Sequence, residues 1–74
     1  MDIKVKLFAY LREGRDKVVL LDMNEGDTIK KAVKILNIDP KEISILLING
    51  RDANIDSILV QGDTVSIFPP VGGG

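Results

Sequence analysis

The sequence predicts an α+β domain in which a mixed β-sheet packs on one main α-helix. Three observations support this: alternating apolar residues at 3–9, one stretch with helical apolar spacing at 29–36, and a second alternating stretch at 64–68. A period of two is typical of half-buried strands, and a spacing of three and four is typical of an amphipathic helix. Seventy-four residues are enough for one domain.

The first two strands are predicted at residues 3–9 and 17–22, with a polar connection between them that contains about one helical turn. Apolar residues occupy the odd positions of the first strand and are expected to face the core. Phe8 lies on the opposite face, together with two lysines. The two strands are expected to form a hairpin.

The helix is predicted to begin near residue 28, after a turn. Either Asp27 or Thr28 is expected to cap it by accepting a hydrogen bond from a free backbone N–H. Asn37 suits the left-handed conformation at the helix end, and Pro40 prevents continuation. One stripe is apolar and faces the sheet: Ile29, Ala32, Val33 and Leu36.

The second half of the chain is predicted to add strands to the sheet. Residues 43–48 are apolar on both faces and indicate a covered strand, and Asn49-Gly50 is a strong turn signal. Residues 51–55 are expected to form a short edge strand, and 57–60 a turn of helix. The last strand, 64–68, is expected to end at Pro69-Pro70, since proline cannot donate a ladder hydrogen bond.

This element order favours a β-grasp arrangement, in which the first and last strands are neighbours at the sheet centre. Phe8 and Phe68 then lie together on the face away from the helix, and Leu46 and Ile48, or their alternates, widen the apolar patch. Exposed apolar patches usually mark partner surfaces. The other interpretation is that the 10–16 connection simply covers one of the two rings.

Composition excludes several classes of function. Cysteine and histidine are absent, so the chain has no thiolate or imidazole for catalysis or zinc binding. The net charge of −1 does not favour nucleic-acid binding. The acidic residues fall at predicted turns, and no metal site is expected. No apolar run resembles a signal peptide or membrane span, so a cytoplasmic location is expected.

The chain ends in a glycine tail, residues 71–74, which is predicted to be flexible and to follow a folded domain at 1–70. Glycine lacks a Cβ, so such a tail can enter a narrow channel in another protein. We expect the carboxylate of Gly74 to be the reactive group, activated as an acyl-adenylate and then converted to a thiocarboxylate or joined to an amine. The alternative is an ordinary disordered end.

The C-terminal residues resemble the end of MoaD proteins, the small subunits of molybdopterin synthase. They read Phe68-Pro69-Pro70-Val71-Gly72-Gly73-Gly74. The opening, residues 3–9 with 11–13, is similar to the start of the same family. Two further pieces resemble the broader MoaD/ThiS superfamily of ubiquitin-like sulfur carriers. They are Leu47-Ile48-Asn49-Gly50 and Gly62-Asp63-Thr64-Val65.

The resemblance implies a chain that is not an enzyme alone and binds no cofactor. An E1-like adenylating enzyme uses ATP and Mg to activate Gly74, with Gly73 as its required neighbour, and a desulfurase or rhodanese supplies the sulfur. The molybdopterin synthase large subunit then receives the tail. The resemblance also implies partner-binding residues, namely Phe8, Arg12, Phe68, Pro69, Pro70, Val71 and Gly72.

One feature departs from the MoaD pattern. The connection at 37–42 is short and closer to ThiS, the thiazole sulfur carrier, whereas ThiS proteins usually lack the Phe-Pro-Pro sequence. The recipient therefore stays open among molybdopterin, a tungsten cofactor, thiazole and tRNA. Two further alternatives are a ubiquitin-like protein modifier and an interaction module with an inert tail.

Overall fold

A computed structural model describes residues 1–70 of the chain. The one α-helix of this range is too short to cross a membrane. Two 3-10 turns accompany it, at Ala9–Arg12 and Pro40–Glu42. The strands in this part of the chain are β1 (Asp2–Leu7), β2 (Val18–Asp22), β3 (Ile45–Ile48), β4 (Arg51–Asp52) and β5 (Thr64–Phe68), and α1 is Ile29–Ile35.

The five strands form one mixed sheet in the order β2-β1-β5-β3-β4. β1 pairs with β5 in parallel, and the other neighbouring pairs are antiparallel. The first and last strands are therefore adjacent at the centre, as predicted from the element order. This topology, with one helix on the sheet, confirms the β-grasp fold.

The core lies between the sheet and α1. Alternation places the odd residues of β1 and β5 inward, and Val5, Leu7, Val65 and Ile67 have no exposed surface. Burial of one such side chain stabilises a fold by about 1.5–3 kcal/mol. The helix contributes its predicted stripe, of which three residues are buried: Ile29, Ala32 and Val33.

The start of α1 differs from the prediction. Thr28 occupies the capping position, but no side chain caps the helix. The N–H groups of Ile29 and Lys30 instead donate to the backbone carbonyls of Ser57 (3.1 Å) and Ile55 (2.8 Å). The Asp27 carboxylate accepts from the N–H of Asn24 at 2.8 Å and closes the preceding turn.

The predicted helical turn at residues 57–60 is wrong. The segment is extended, with a bridge between Ile58 and Thr28, and the N–H of Leu59 donates to the carbonyl of Asp27 at 2.9 Å. These bonds tie the segment to the chain entering α1, so it stays extended because its backbone serves as the helix cap.

The end of α1 is held by a side chain that the sequence did not indicate. Asn37 adopts the predicted left-handed conformation, with φ of 57°. Arg15 reaches this point from the connection after β1. Its guanidinium donates to the carbonyls of Leu36 (3.3 Å), Asn37 (3.2 Å) and Leu11 (3.2 Å). The first two bonds satisfy carbonyls that the end of α1 leaves without partners, and the third ties Arg15 to the 3-10 turn.

Candidate functional site

The parallel pairing of β1 and β5 brings their C-terminal ends to the same edge of the sheet. Leu7 is paired with Ile67, and the N–H of Phe8 donates to the carbonyl of Ile67 at 3.3 Å. The rings of Phe8 and Phe68 stack with centroids 4.1 Å apart and an angle of 13° between their planes. Both phenylalanines are half-buried, on the sheet face away from α1.

Arg12 joins this pair from the 3-10 turn after β1. Its guanidinium carbon lies 5.6 Å from the centre of the Phe8 ring, and its Nε donates to the Leu7 carbonyl at 2.8 Å. Ala9, with φ of 53°, turns the chain back so that the 3-10 turn can follow the strand. The connection therefore covers part of Phe8, as the alternative interpretation expected, but it does so with an exposed cation.

β3 widens the apolar surface with Ile45 and Leu47, the alternates of Leu46 and Ile48. Leu46 is paired with buried Ile67 and belongs to the core. Ile45 is paired with Phe68, so it lies on the open face, where 48% of it is exposed. We call this surface the aromatic patch, and it consists of Phe8, Arg12, Ile45, Leu47 and Phe68.

The chain leaves the sheet beside the aromatic patch. The Phe68 carbonyl accepts from the N–H of Ser44 at 2.8 Å, which holds the last residue of β5 against the β3 side. Pro69 is buried and Pro70 is exposed. The chain thus packs on the body through residue 69 and emerges at residue 70. The predicted tail residues Val71, Gly72, Gly73 and Gly74 lie outside the described residues.

Ionisable groups near the site form no evident catalytic centre within residues 1–70, which contain no cluster of three or more potential metal ligands. One group has a shifted pKa. Desolvation and the neighbouring Glu42 carboxylate raise the pKa of the Tyr10 hydroxyl above its ordinary value of 10.0. Both residues lie in connections between the main elements, and no spacing signal in the sequence relates them.

The model of the ThiS family matches residues 5–74, nearly the whole chain. The chain belongs to the ThiS family. This confirms the ThiS/MoaD assignment made from the terminal and turn sequences. No curated protein matches the chain.

Solved structures show the same ubiquitin-like β-grasp fold. SAMP1 from Haloferax volcanii is 26% identical over all of both chains, with a TM-score of 0.81. The putative molybdopterin converting factor subunit 1 from Pyrococcus furiosus is 24% identical over 96% of this chain and 99% of that one, with a TM-score of 0.77, and shows the fold alone. The complex of subunits 1 and 2 of molybdopterin-converting factor from Helicobacter pylori contains a chain that is 25% identical over all of both chains, with a TM-score of 0.67. The chain thus has the fold of ubiquitin-like sulfur carriers and modifiers of the ThiS/MoaD type.

Proposed function

We propose that this ThiS-family protein is a sulfur carrier that donates sulfur from Gly74 as the small subunit of molybdopterin synthase. The observation that carries the proposal is the Phe8–Phe68 stack at the sheet edge where Pro69 and Pro70 lead out of the fold. It combines an apolar docking surface with the root of the glycine tail. Both features are needed if a partner is to receive the tail.

The aromatic patch supports the first half of this role, which is recognition of a partner. Aromatic residues and arginine are the side chains that most often dominate binding energies at protein interfaces. Phe68 is preordered by its stack with Phe8, so it loses little freedom on binding. We propose that the E1-like adenylating enzyme and the synthase large subunit dock on this patch in turn.

The tail supports the second half, which is the chemistry. The Gly74 carboxylate attacks the α-phosphate of ATP, bound with Mg in the activating enzyme, and pyrophosphate leaves. The terminal sulfur of a persulfide carried by a desulfurase or rhodanese then displaces AMP from the acyl carbon and forms an acyl disulfide. A thiol of the partner enzymes reduces this bond, which releases the thiocarboxylate and leaves a disulfide on the partner. The chain provides only the acyl group, so it needs no cofactor of its own and is not an enzyme alone. Because the activating enzyme uses ATP, we place the reaction in the cytoplasm.

Molybdopterin is proposed as the destination on two grounds. The sequence from Phe68 to Gly74 resembles the MoaD ending. The Helicobacter pylori structure of similar fold is a complex of the two subunits of molybdopterin-converting factor.

The proposal is tested by weighing the intact chain after incubation with ATP, Mg, an activating enzyme and a sulfur donor. We expect one oxygen to be exchanged for sulfur at the C-terminus. The control is a chain that lacks Gly73 and Gly74 but keeps the folded body. A full-length chain that keeps a plain carboxylate beside an active enzyme would contradict the proposal.

The destination is tested separately by adding the charged chain to a molybdopterin synthase large subunit and the pterin precursor. Formation of the dithiolene product, with return of the chain to a carboxylate, is expected. A charged chain that gives no product would favour thiazole, tungsten cofactor or tRNA thiolation as the recipient pathway.

A second candidate function is modification of other proteins. It is favoured by the similarity to SAMP1. A second similar structure from Haloferax volcanii, of which this chain covers 98%, is that of small archaeal modifier protein 1. In that case the activated Gly74 forms an amide with a lysine of another protein. Gly-Gly remnants on lysines after proteolysis, lost when Gly73 and Gly74 are deleted, would identify this role.

A further inference from the structure

β2 lies at one edge of the sheet, and its outward backbone groups can be assigned from the ladder. The N–H of Leu7 donates to the carbonyl of Lys17, and the N–H of Met23 donates to the carbonyl of Met1, both at 2.8 Å. In an antiparallel pair, hydrogen-bonded and non-hydrogen-bonded residue pairs alternate. The N–H and C=O groups of three β2 residues therefore point away from β1, and no other strand of the described range pairs with them. These residues are Val18, Leu20 and Asp22.

The side chains of β2 leave this edge unprotected. Proteins usually block a free edge with lysine, proline or a bulge, because open backbone groups template pairing with another chain. β2 contains neither lysine nor proline, and its register with β1 is unbroken. Leu20 is 75% exposed and Val18 is 38% exposed. On the helix side, Val19 and Leu21 are only half-buried.

We propose that β2 pairs with β2 of a second copy of the chain, antiparallel about a two-fold axis at Leu20. In this register Leu20 lies opposite its counterpart on the open face, and Val19 lies opposite Leu21 on the helix side. Apolar cross-strand pairs of this kind stabilise a sheet by about 0.2–1 kcal/mol each. The pairing also satisfies the outward backbone groups on both copies.

The charges at the two ends of β2 favour the same register. At one end Asp22 is paired with Asp2, and the N-terminal ammonium of Met1 lies 3.5 Å from Asp22, so this end carries two carboxylates and one cation. At the other end Val18 is paired with Lys6, and Lys17 precedes it. All four charged side chains are exposed. Antiparallel pairing sets the acidic end of each copy beside the basic end of the other, whereas parallel pairing would bring like charges together.

The proposed dimer is weak and lies away from Phe68. One pair of short strands buries less than the roughly 1,000 Å² expected of a stable interface, so association depends on concentration. β5, which carries Phe68, is the third strand of the sheet and does not reach the β2 edge. Phe8 and Arg12 lie nearer this edge, since they line one surface pocket with Lys17 and Val18.

The test measures sedimentation mass from micromolar to millimolar concentration for three chains: wild type, Leu20→Glu and Ile58→Glu. We expect the wild-type mass to approach that of two copies. Leu20→Glu is expected to stay monomeric, because two carboxylates then meet at the axis, while Lys4 opposite residue 20 keeps the fold intact. Ile58 is 65% exposed and is bridged to Thr28, outside β2, so its variant should dimerise like wild type.

Mixing Leu20→Glu with Leu20→Lys should restore a dimer, since opposite charges then meet at the axis. Backbone hydrogen exchange gives a second measurement, with slower exchange at Leu20 and Asp22 as concentration rises. Wild type that stays monomeric at millimolar concentration, or Leu20→Glu that dimerises equally well, overturns the proposal. Loss of the dimer in Ile58→Glu overturns it as well, because the interface then lies elsewhere. Sulfur loading of monomeric Leu20→Glu is expected to be unchanged.

Discussion

The side chains of Asn49 and Asp63 bind each other and so connect the turn after β3 to the start of β5. Nδ2 of Asn49 donates to Oδ1 of Asp63 at 2.9 Å, and Oδ1 of Asn49 accepts from the N–H of Thr64 at 2.9 Å. The second Asp63 oxygen accepts from the N–H of Val60, also at 2.9 Å. Asp63 is only 7% exposed. The two sequence pieces shared with the ThiS/MoaD superfamily thus meet in one hydrogen-bond network that aligns β5.

Replacing Asp63 with alanine is expected to lower the free energy of unfolding by about 1–3 kcal/mol, because Asn49 and the Val60 N–H lose their buried acceptor. Urea denaturation measures the change. Asp56→Ala is the matched control, since Asp56 is exposed at a nearby turn and should cost less than about 0.5 kcal/mol. Equal denaturation midpoints for the two variants would contradict the structural role.

Arg15→Met is expected to destabilise the protein by about 1 kcal/mol, because the carbonyls at the end of α1 lose their donor. The three hydrogen bonds that Arg15 donates are long, at 3.2–3.3 Å, and its side chain is only half-buried. The expected effect is therefore small. The control is Arg51→Met on exposed edge strand β4. The idea fails if both methionine variants unfold at the same urea concentration.

The Tyr10 hydroxyl is expected to ionise above pH 10.0, because desolvation and the Glu42 carboxylate disfavour its charged form. The folded state then holds this proton more tightly than the unfolded state. The resulting stability is present below pH 10 and is lost as the pH rises through the folded pKa. The chain has one tyrosine and no tryptophan, so ultraviolet absorbance follows this group alone.

Glu42→Gln is expected to lower the Tyr10 midpoint part of the way, since desolvation is the larger cause and remains. Glu25→Gln, in the turn before α1, removes an equal charge elsewhere and should leave the midpoint in place. A wild-type midpoint at or below 10.0, or the same midpoint in Glu42→Gln, would show that the carboxylate does not act on Tyr10.

Alternation predicted much of the fold and of the candidate site because side-chain direction in a strand is a local property. It put Val65 and Ile67 inside and Phe8 on the open face, and the element order then implied that Phe8 and Phe68 are neighbours. The stack itself depends on the parallel register of β1 and β5, in which Leu7 is paired with Ile67. No local pattern contains that register.

The incorrect predictions concern backbone bonds between distant segments. Thr28 has the residue type and position of a helix cap, but the carbonyls of Ser57 and Ile55 take that role. The same contacts keep residues 57–60 extended, although their sequence suits a helical turn. The pairing of residues 55–59 with the start of α1 therefore accounts for both errors. Local propensity could not have indicated this pairing, because the two segments are far apart in the sequence.

The aromatic patch is expected to fail as a docking surface when Phe68 is replaced with alanine. Truncation of an aromatic anchor commonly costs more than 1 kcal/mol of binding, so we expect affinity for the activating enzyme to fall about tenfold or more. Ile35→Ala is the control, because Ile35 is 47% exposed on α1, away from the patch. Calorimetry measures both affinities, and thermal unfolding confirms that each variant is folded.

The stack adds a coupling that a double-mutant cycle isolates. The cycle uses Phe8→Leu, Phe68→Leu and the double variant, because leucine retains an apolar side chain. We expect a coupling of about 0.5–1.5 kcal/mol between the two rings in the free energy of unfolding. If Phe68 is preordered by Phe8, then Phe8→Leu also weakens partner binding, although less than Phe68→Ala. Additive changes in the free energy of unfolding, together with unchanged binding in Phe8→Leu, would mean that Phe8 only fills space at the end of β1.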